Sequence, residues 1–68
     1  MITKAEAEAL REYFEDEAAL YDQFARLLKS PLARKTAGEI RDHCYLRARE
    51  YDRLARSWLR RLFATAPR

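Results

Sequence analysis

The stretch that decides the fold is IRDHCYLRAREYDRLARSWLRRLF, residues Ile40 to Phe63. Apolar residues in and just before it recur at steps of three and four positions, the spacing of one face of an α-helix. These residues are Ala37, Ile40, Cys44, Tyr51, Leu54 and Trp58. Arg47 stands where the same spacing expects an apolar residue. The stretch predicts an amphipathic helix that packs against other helices and carries one polar interruption.

The first part of the chain has the same periodicity. Thr3 and Glu6 have the form of a capping box, in which both side chains accept hydrogen bonds from free amide groups of the first turn. Residues 3–29 contain no Gly or Pro and form predicted helix 1. Its apolar face consists of Ala7, Leu10, Phe14, Tyr21, Phe24 and Leu28, interrupted by Glu17. Tyr13, Leu20 and Leu27 widen this face on one side, and Ala18 and Ala25 widen it on the other.

Ser30 and Pro31 divide the two helices. Proline suits the first turn of a helix and serine is a good N-cap, so predicted helix 2 runs from about residue 31 to 63. Thr36 is an alternative start, because Thr36 and Glu39 form a second capping-box pattern. The start at Pro31 is preferred because Ala33 extends the apolar face toward the turn. Residues 64–68 are predicted to be a frayed tail.

Two helices of similar length joined by a very short turn fold back as an antiparallel hairpin, with facing residue numbers that sum to the low sixties. We therefore predict that residues 1–68 form one all-α, helical-hairpin domain. A chain of 68 residues buries a small fraction of its surface. Without disulfides to supplement the core, we expect self-association, with two hairpins pairing into a four-helix bundle.

The same register places the two polar interruptions opposite each other. We predict a partly buried ion pair between Glu17 and Arg47, with His43 and the hydroxyls of Tyr21 and Tyr51 as additional partners. Such a pair adds little net stability, because desolvation offsets the attraction, but it fixes the register of a bundle.

Metal and catalytic chemistry find little support in the sequence. Glu17, Glu39, His43 and Glu50 do not converge at one level of the predicted bundle, and they lack the spacing of a di-iron carboxylate site. No Gly-rich phosphate loop is present, and no nucleophile has an identifiable base. Cys44 is predicted to be a small residue of the helix contact. We expect no enzyme activity, no cofactor and no small-molecule substrate.

The expected compartment is the cytoplasm. A single cysteine allows no internal disulfide, which favours a reducing setting. The opening residues lack the apolar core of a signal peptide, and no apolar run has the length of about 18 residues that a membrane span needs.

Charge is unevenly distributed. Residues 1–28 carry a net charge of −4 and residues 29–68 a net charge of +7. On helix 2 an arginine stripe points away from the predicted helix contact and consists of Arg49, Arg53, Arg56 and Arg60. Tyr45, Leu46 and Phe63 lie around it. Arginine beside exposed aromatic residues is typical of protein interfaces. A solvated charged face, a nucleic-acid surface and an anionic membrane surface remain alternatives.

Two local patterns resemble the Rop (Rom) family. Near the start they are Thr3-Lys4, Glu6 and Ala9-Leu10, and near the end they are Leu54, Arg56-Ser57, Leu59 and Arg61. The resemblance implies a hairpin that dimerises into a four-helix bundle and binds paired RNA loops. Lys4 and Arg26 match basic RNA-contacting positions of that family, whereas Glu15 and Ala19 stand where the family has Phe and an amide. If the chain bound RNA, the basic residues of helix 1 to consider would be Lys4, Arg11 and Arg26.

The chain is also similar in form to small helical proteins with which phages and mobile elements inhibit host proteins. The combined expectation is a homodimer that binds and modulates a partner protein, such as a transcription regulator, through the arginine stripe with Tyr45, Leu46 and Phe63. RNA binding of the Rop type and a purely structural assembly role are the alternatives. The predicted core and dimer residues are Leu10, Phe14, Glu17, Tyr21, Phe24, Leu28, Ile40, Cys44, Arg47, Tyr51, Leu54 and Trp58.

Overall fold

The computed structural model describes the backbone of residues 2–65 and the side chains of residues 2–58, 60 and 61. Two helices, α1 (Lys4–Leu27) and α2 (Pro31–Thr65), pack against each other as an antiparallel hairpin. No strand occurs in the described part of the chain. The prediction of an all-α helical hairpin is confirmed.

Helix α1 begins with the predicted capping box. The backbone N–H of Glu6 donates to the Thr3 hydroxyl at 3.1 Å, and the N–H of Thr3 donates to the Glu6 carboxylate at 3.2 Å. The helix ends at Leu27, two residues before the predicted end, because Leu28 is extended with φ −68° and ψ 137°. Proline disfavours the helical conformation of the residue before it, so α1 stops before Ser30 and the chain bends at Lys29 and Ser30.

Helix α2 begins at Pro31, the earlier of the two predicted starts. The Ser30 hydroxyl accepts a hydrogen bond from the N–H of Ala33 at 3.3 Å, which caps the first turn. Thr36 lies inside the helix and donates its hydroxyl to the carbonyl of Leu32 at 3.0 Å. The helix reaches Thr65, so residues 64 and 65 are helical where a frayed tail was expected. Residues 66–68 of that predicted tail lie outside the described residues.

Small side chains fill the contact between the helices. Ala7 and Ala18 of α1 are completely buried. The buried residues of α2 are Ala37, Cys44, Ala48 and Ala55. Small residues let two helices approach closely, because interaxial distance depends on the side chains at the contact. Larger rings flank this contact, and those of Phe14 and Tyr51 stack 5.7 Å apart across it.

The contact uses only alternate members of the predicted faces. Ala37 and Cys44 are buried as expected. Ile40 and Leu54, predicted to face α1, are instead 37% and 40% exposed. Of the residues that directly follow them, Arg41 is partly buried and Ala55 is buried. Phe24 on α1 is likewise 40% exposed, beside the half-buried Ala25. Close-packed helices select the small side chains for the centre of the contact, and these larger residues lie beside it, partly exposed. Phe24 and Ile40 still line one pocket from opposite helices.

The hairpin has an internal repeat that explains this arrangement. Seven of the 24 residues of α1 recur 30 positions later in α2, and facing residues on the two helices have numbers that sum to about 63. Ala7, Arg11, Ala18, Tyr21, Asp22, Ala25 and Arg26 recur as Ala37, Arg41, Ala48, Tyr51, Asp52, Ala55 and Arg56. The two helices are therefore related by an approximate two-fold axis perpendicular to the plane of the hairpin, and the centre of each helix lies near Glu17 and Arg47.

Candidate interaction surfaces

One side of the hairpin is closed by two ion pairs between the helices. Arg41 donates to Asp22 at 2.9 Å, and Arg11 donates to Asp52 at 3.4 Å. The 30-residue repeat exchanges these two pairs. We call this side the ion-paired face. All four side chains are about one-third exposed, so the pairs hold the alignment of the helices more than they stabilise them.

Each of these ion pairs is extended by a neighbour on the same helix. Arg26 contacts Asp22 at 3.0 Å, and Arg56 contacts Asp52 at 3.1 Å. Arg41 also donates to Asp42 at 3.1 Å. Hydrogen bonds from Arg41 to Asp22, and then to Asp42, raise the pKa of the Arg41 guanidinium above its usual value. Most of the charge on this face is therefore matched within the chain.

The opposite side exposes large apolar residues of both helices. Phe24, Leu28 and Ile40 line a pocket of about 410 Å³ near the turn. Leu54 lines a smaller pocket with Ile2 and Trp58 at the other end, where the Trp58 indole donates to the carbonyl of Ile2 at 3.1 Å. We call this side the apolar face. It is defined by Leu10, Phe24, Leu28, Ile40 and Leu54, with Tyr13, Leu20 and Leu27 along its α1 edge.

Glu17 and Arg47 lie at the centre of the apolar face. Each is seven residues, or two helical turns, from an apolar member of its own helix on both sides, Leu10 and Phe24 for Glu17 and Ile40 and Leu54 for Arg47. Glu17 is half-buried, and Arg47 is exposed.

The predicted Glu17–Arg47 ion pair does not form within the hairpin. Arg47 donates instead to Glu50 on its own helix at 3.2 Å. Among the described residues, His43 and the hydroxyls of Tyr21 and Tyr51 make no hydrogen bond to Glu17 or Arg47. The physical reason is the position of the helix contact, which runs along the small side chains and not along the predicted faces. Both charges therefore lie on the side of the hairpin, beside the contact.

The arginine stripe lies on the side of α2 that points away from α1, and all four of its residues are exposed. Arg56 is held by Asp52. Within the described part of the chain, Arg49, Arg53 and Arg60 have no carboxylate partner. These three charges face solvent unmatched.

Apolar side chains accompany the stripe. Tyr45 is 45% exposed and Leu46 is 56% exposed, and together with Asp42 and Arg49 they line a shallow pocket of about 400 Å³. The side chain of Phe63, the third predicted anchor, lies outside the described residues. The structure therefore brings Tyr45, Leu46 and Arg49 together at one end of the stripe.

Cys44 lies in the helix contact. Burial raises the pKa of its thiol, and the negative charge of Glu17 raises it further. A thiol with a raised pKa is a weak nucleophile at neutral pH. In the part of the chain that the structure describes, His, Cys, Asp and Glu side chains form no group of three that could hold a metal ion. No described helix combines the length and the apolar character needed to cross a membrane.

Comparison of the chain with family models, with curated proteins and with solved structures finds no match. The surfaces of the hairpin are therefore the basis for assigning its function. Sequence reasoning missed Arg11, Asp22, Arg41 and Asp52, the residues of the two ion pairs. The signal that could have found them is the 30-residue repeat, in which an Arg and an Asp recur together at the same spacing.

Proposed function

We propose that this chain is a small non-enzymatic regulatory protein that, as a homodimeric four-helix bundle, binds and modulates or inhibits another protein. The binding surface is the arginine stripe together with Tyr45 and Leu46. The observation that carries the proposal is that Arg49, Arg53 and Arg60 lie together on the outer side of α2 without a carboxylate partner in the described chain. Other arginines of the hairpin each contact a carboxylate: Arg11, Arg26, Arg41 and Arg47.

The chemistry of this surface favours an acidic protein partner. Arginine and tyrosine are enriched where protein interfaces carry most of their binding energy, and such anchors sit beside apolar contacts that exclude water. Here the pocket at Tyr45 and Leu46 would receive an apolar side chain, while Arg49 and Arg53 pair with carboxylates around it. A transcription regulator of the host cell is the class of target that we propose.

RNA binding of the Rop type is less well supported by the contacts of α1. The three basic residues of that helix are each close to a carboxylate. Lys4 lies 3.7 Å from Glu8, Arg26 lies 3.0 Å from Asp22, and Arg11 lies 3.4 Å from Asp52. A phosphate backbone approaching α1 would have to displace these partners and meet its excess of carboxylates.

The test is affinity capture from a cell extract with the tagged protein, with and without nuclease. We expect a protein to be retained after nuclease treatment and to be lost with the R49E/R53E variant. This variant spares Arg56, which holds Asp52. The matched control is R34E/K35E, which makes the same change in net charge at exposed positions near the turn.

Capture by R49E/R53E that equals capture by the wild type would contradict the proposal. Recovery of RNA, or of proteins that disappear with nuclease, would favour the Rop-like alternative instead. Circular dichroism and sedimentation of both variants show whether helicity and oligomeric state are unchanged.

A further inference from the structure

We infer that the apolar face is covered by a second copy of this chain, with Glu17 of each copy against Arg47 of the other. The inference rests on the homodimer of the proposed function and specifies the face and the arrangement of that dimer. Three observations lead to it: the excess surface of the hairpin, the difference between its two sides, and the position of the two central charges.

The isolated hairpin exposes more surface than a folded protein of its size. Its accessible surface is 5655 Å² for a mass of 8.1 kDa. Folded monomers of that mass expose about 4,500 Å². The difference of roughly 1,100 Å² is comparable to the area of about 800 Å² that one partner buries in a standard protein interface. The radius of gyration, 16.2 Å against about 11 Å for a compact chain of this length, shows the same elongation.

Among the described residues, the apolar face carries most of the exposed large apolar side chains. The ion-paired face is already closed by Asp22–Arg41 and Arg11–Asp52. The outer side of α2 carries the arginine stripe, which would repel a second copy of itself. The apolar face exposes the large apolar side chains of Phe24, Leu28, Ile40 and Leu54.

Charge selects the arrangement of the second copy. In a symmetric dimer the same face is used by both copies. If each α1 lay over the partner's α1, the central charges would meet as Glu17 on Glu17 and Arg47 on Arg47. If each α1 lies over the partner's α2, Glu17 meets the partner's Arg47 twice. Like charges at an interface cost several kcal/mol, so the second arrangement is favoured.

The wider charge distribution favours the same arrangement. Residues 1–28 are acidic and residues 29–68 are basic, so placing α1 over the partner's α2 sets unlike charges together along the whole bundle. Arg47 is exposed and contacts Glu50 of its own chain at 3.2 Å. In the dimer it would contact Glu17 of the second copy instead.

The test uses E17R and R47E, alone and mixed. In E17R the central charges of both copies are all positive, and in R47E they are all negative. We expect the dimer dissociation constant of each variant to rise about tenfold or more. A mixture of the two restores opposite charges at both central contacts, so it should form a heterodimer with a dissociation constant within about threefold of that of the wild-type dimer. Native mass spectrometry separates the heterodimer by mass, and sedimentation equilibrium gives the affinities.

Single variants that dimerise as tightly as the wild type would overturn the inference, and so would a mixture without heterodimer. If the double variant E17R/R47E restores dimerisation and the mixture does not, the two charges act within one chain and the inference fails. A wild-type monomer that still captures a protein through the arginine stripe would refute the dimer face and leave the binding surface standing. A dimer that obeys the mixing test and captures nothing would refute the proposed function alone.

Discussion

The two faces of the hairpin flank the same helix contact but differ in how their charged residues are paired. On the ion-paired face, each Asp lies within 3.4 Å of an Arg from the other helix, so the charges are matched inside one chain. On the apolar face, Glu17 and Arg47 stand among large apolar side chains and do not pair with each other. One face therefore completes the hairpin, whereas the other has the composition of an interface.

The largest expected effect comes from disrupting the contact that separates the two faces. Ala18 is completely buried against α2, so A18L forces extra methylenes into a close-packed site. We expect a loss of about 1 to 3 kcal/mol in the free energy of unfolding, measured by urea denaturation. The control is A19L, because Ala19 is the adjacent residue and is exposed. Equal stability of the two variants would contradict the burial of Ala18 in the helix contact.

The next effect separates the apolar face from the outer side of α2. L54D places a charge on the apolar face, and L46D places the same charge beside the arginine stripe. Because burying a leucine contributes about 1.5 to 3 kcal/mol, we expect L54D to weaken dimerisation at least tenfold. L46D should leave dimerisation unchanged and weaken partner capture. Sedimentation equilibrium and affinity capture measure the two effects, and the reverse pattern would mean that the faces are assigned the wrong way round.

A smaller effect compares the two ion pairs. Asp22–Arg41 is shorter than Arg11–Asp52, at 2.9 Å against 3.4 Å. We expect D22N to lower Tm more than D52N does. Because both pairs are partly exposed, both losses should shrink at high salt. Thermal unfolding at low and high salt measures this, and losses that salt does not change would show that the pairs do not act through charge.

The smallest effect tests the position of Glu17 beside the helix contact. Burial and Glu17 together raise the pKa of the Cys44 thiol, so alkylation by iodoacetamide should be slower than for free cysteine. E17Q removes one of the two causes and should speed alkylation modestly. A raised pKa means that the folded state holds the thiol proton more tightly than the unfolded state does. The resulting contribution to the free energy of unfolding is present below the unfolded pKa and is lost as pH rises through the folded pKa. An unchanged alkylation rate in E17Q would place Glu17 away from Cys44.

Local signals in the sequence were sufficient for the helices and the turn. The capping box at Thr3 and Glu6, the Ser30 cap and Pro31 act over a few residues, and the structure has all three. The short turn then leaves little freedom, so the antiparallel hairpin follows from it.

The helix contact was predicted at alternate positions only. Ranking residues by apolar size favoured Ile40 and Leu54 over Ala48 and Ala55, because an alanine contributes little apolar area. Close packing reverses that ranking, since small residues allow the helices to approach and larger ones then lie outside. Arg11 and Arg41 could not be recognised as contact residues without the register that places an Asp opposite each of them.

The most direct test of the central claim, that a second copy covers the apolar face, is the mass of the wild-type protein in solution. Sedimentation equilibrium from micromolar to millimolar concentration should give twice the 8.1 kDa of one chain, falling toward a single chain only on dilution. A mass of 8.1 kDa throughout that range would contradict the claim, because the apolar face would then remain open to solvent in the protein alone.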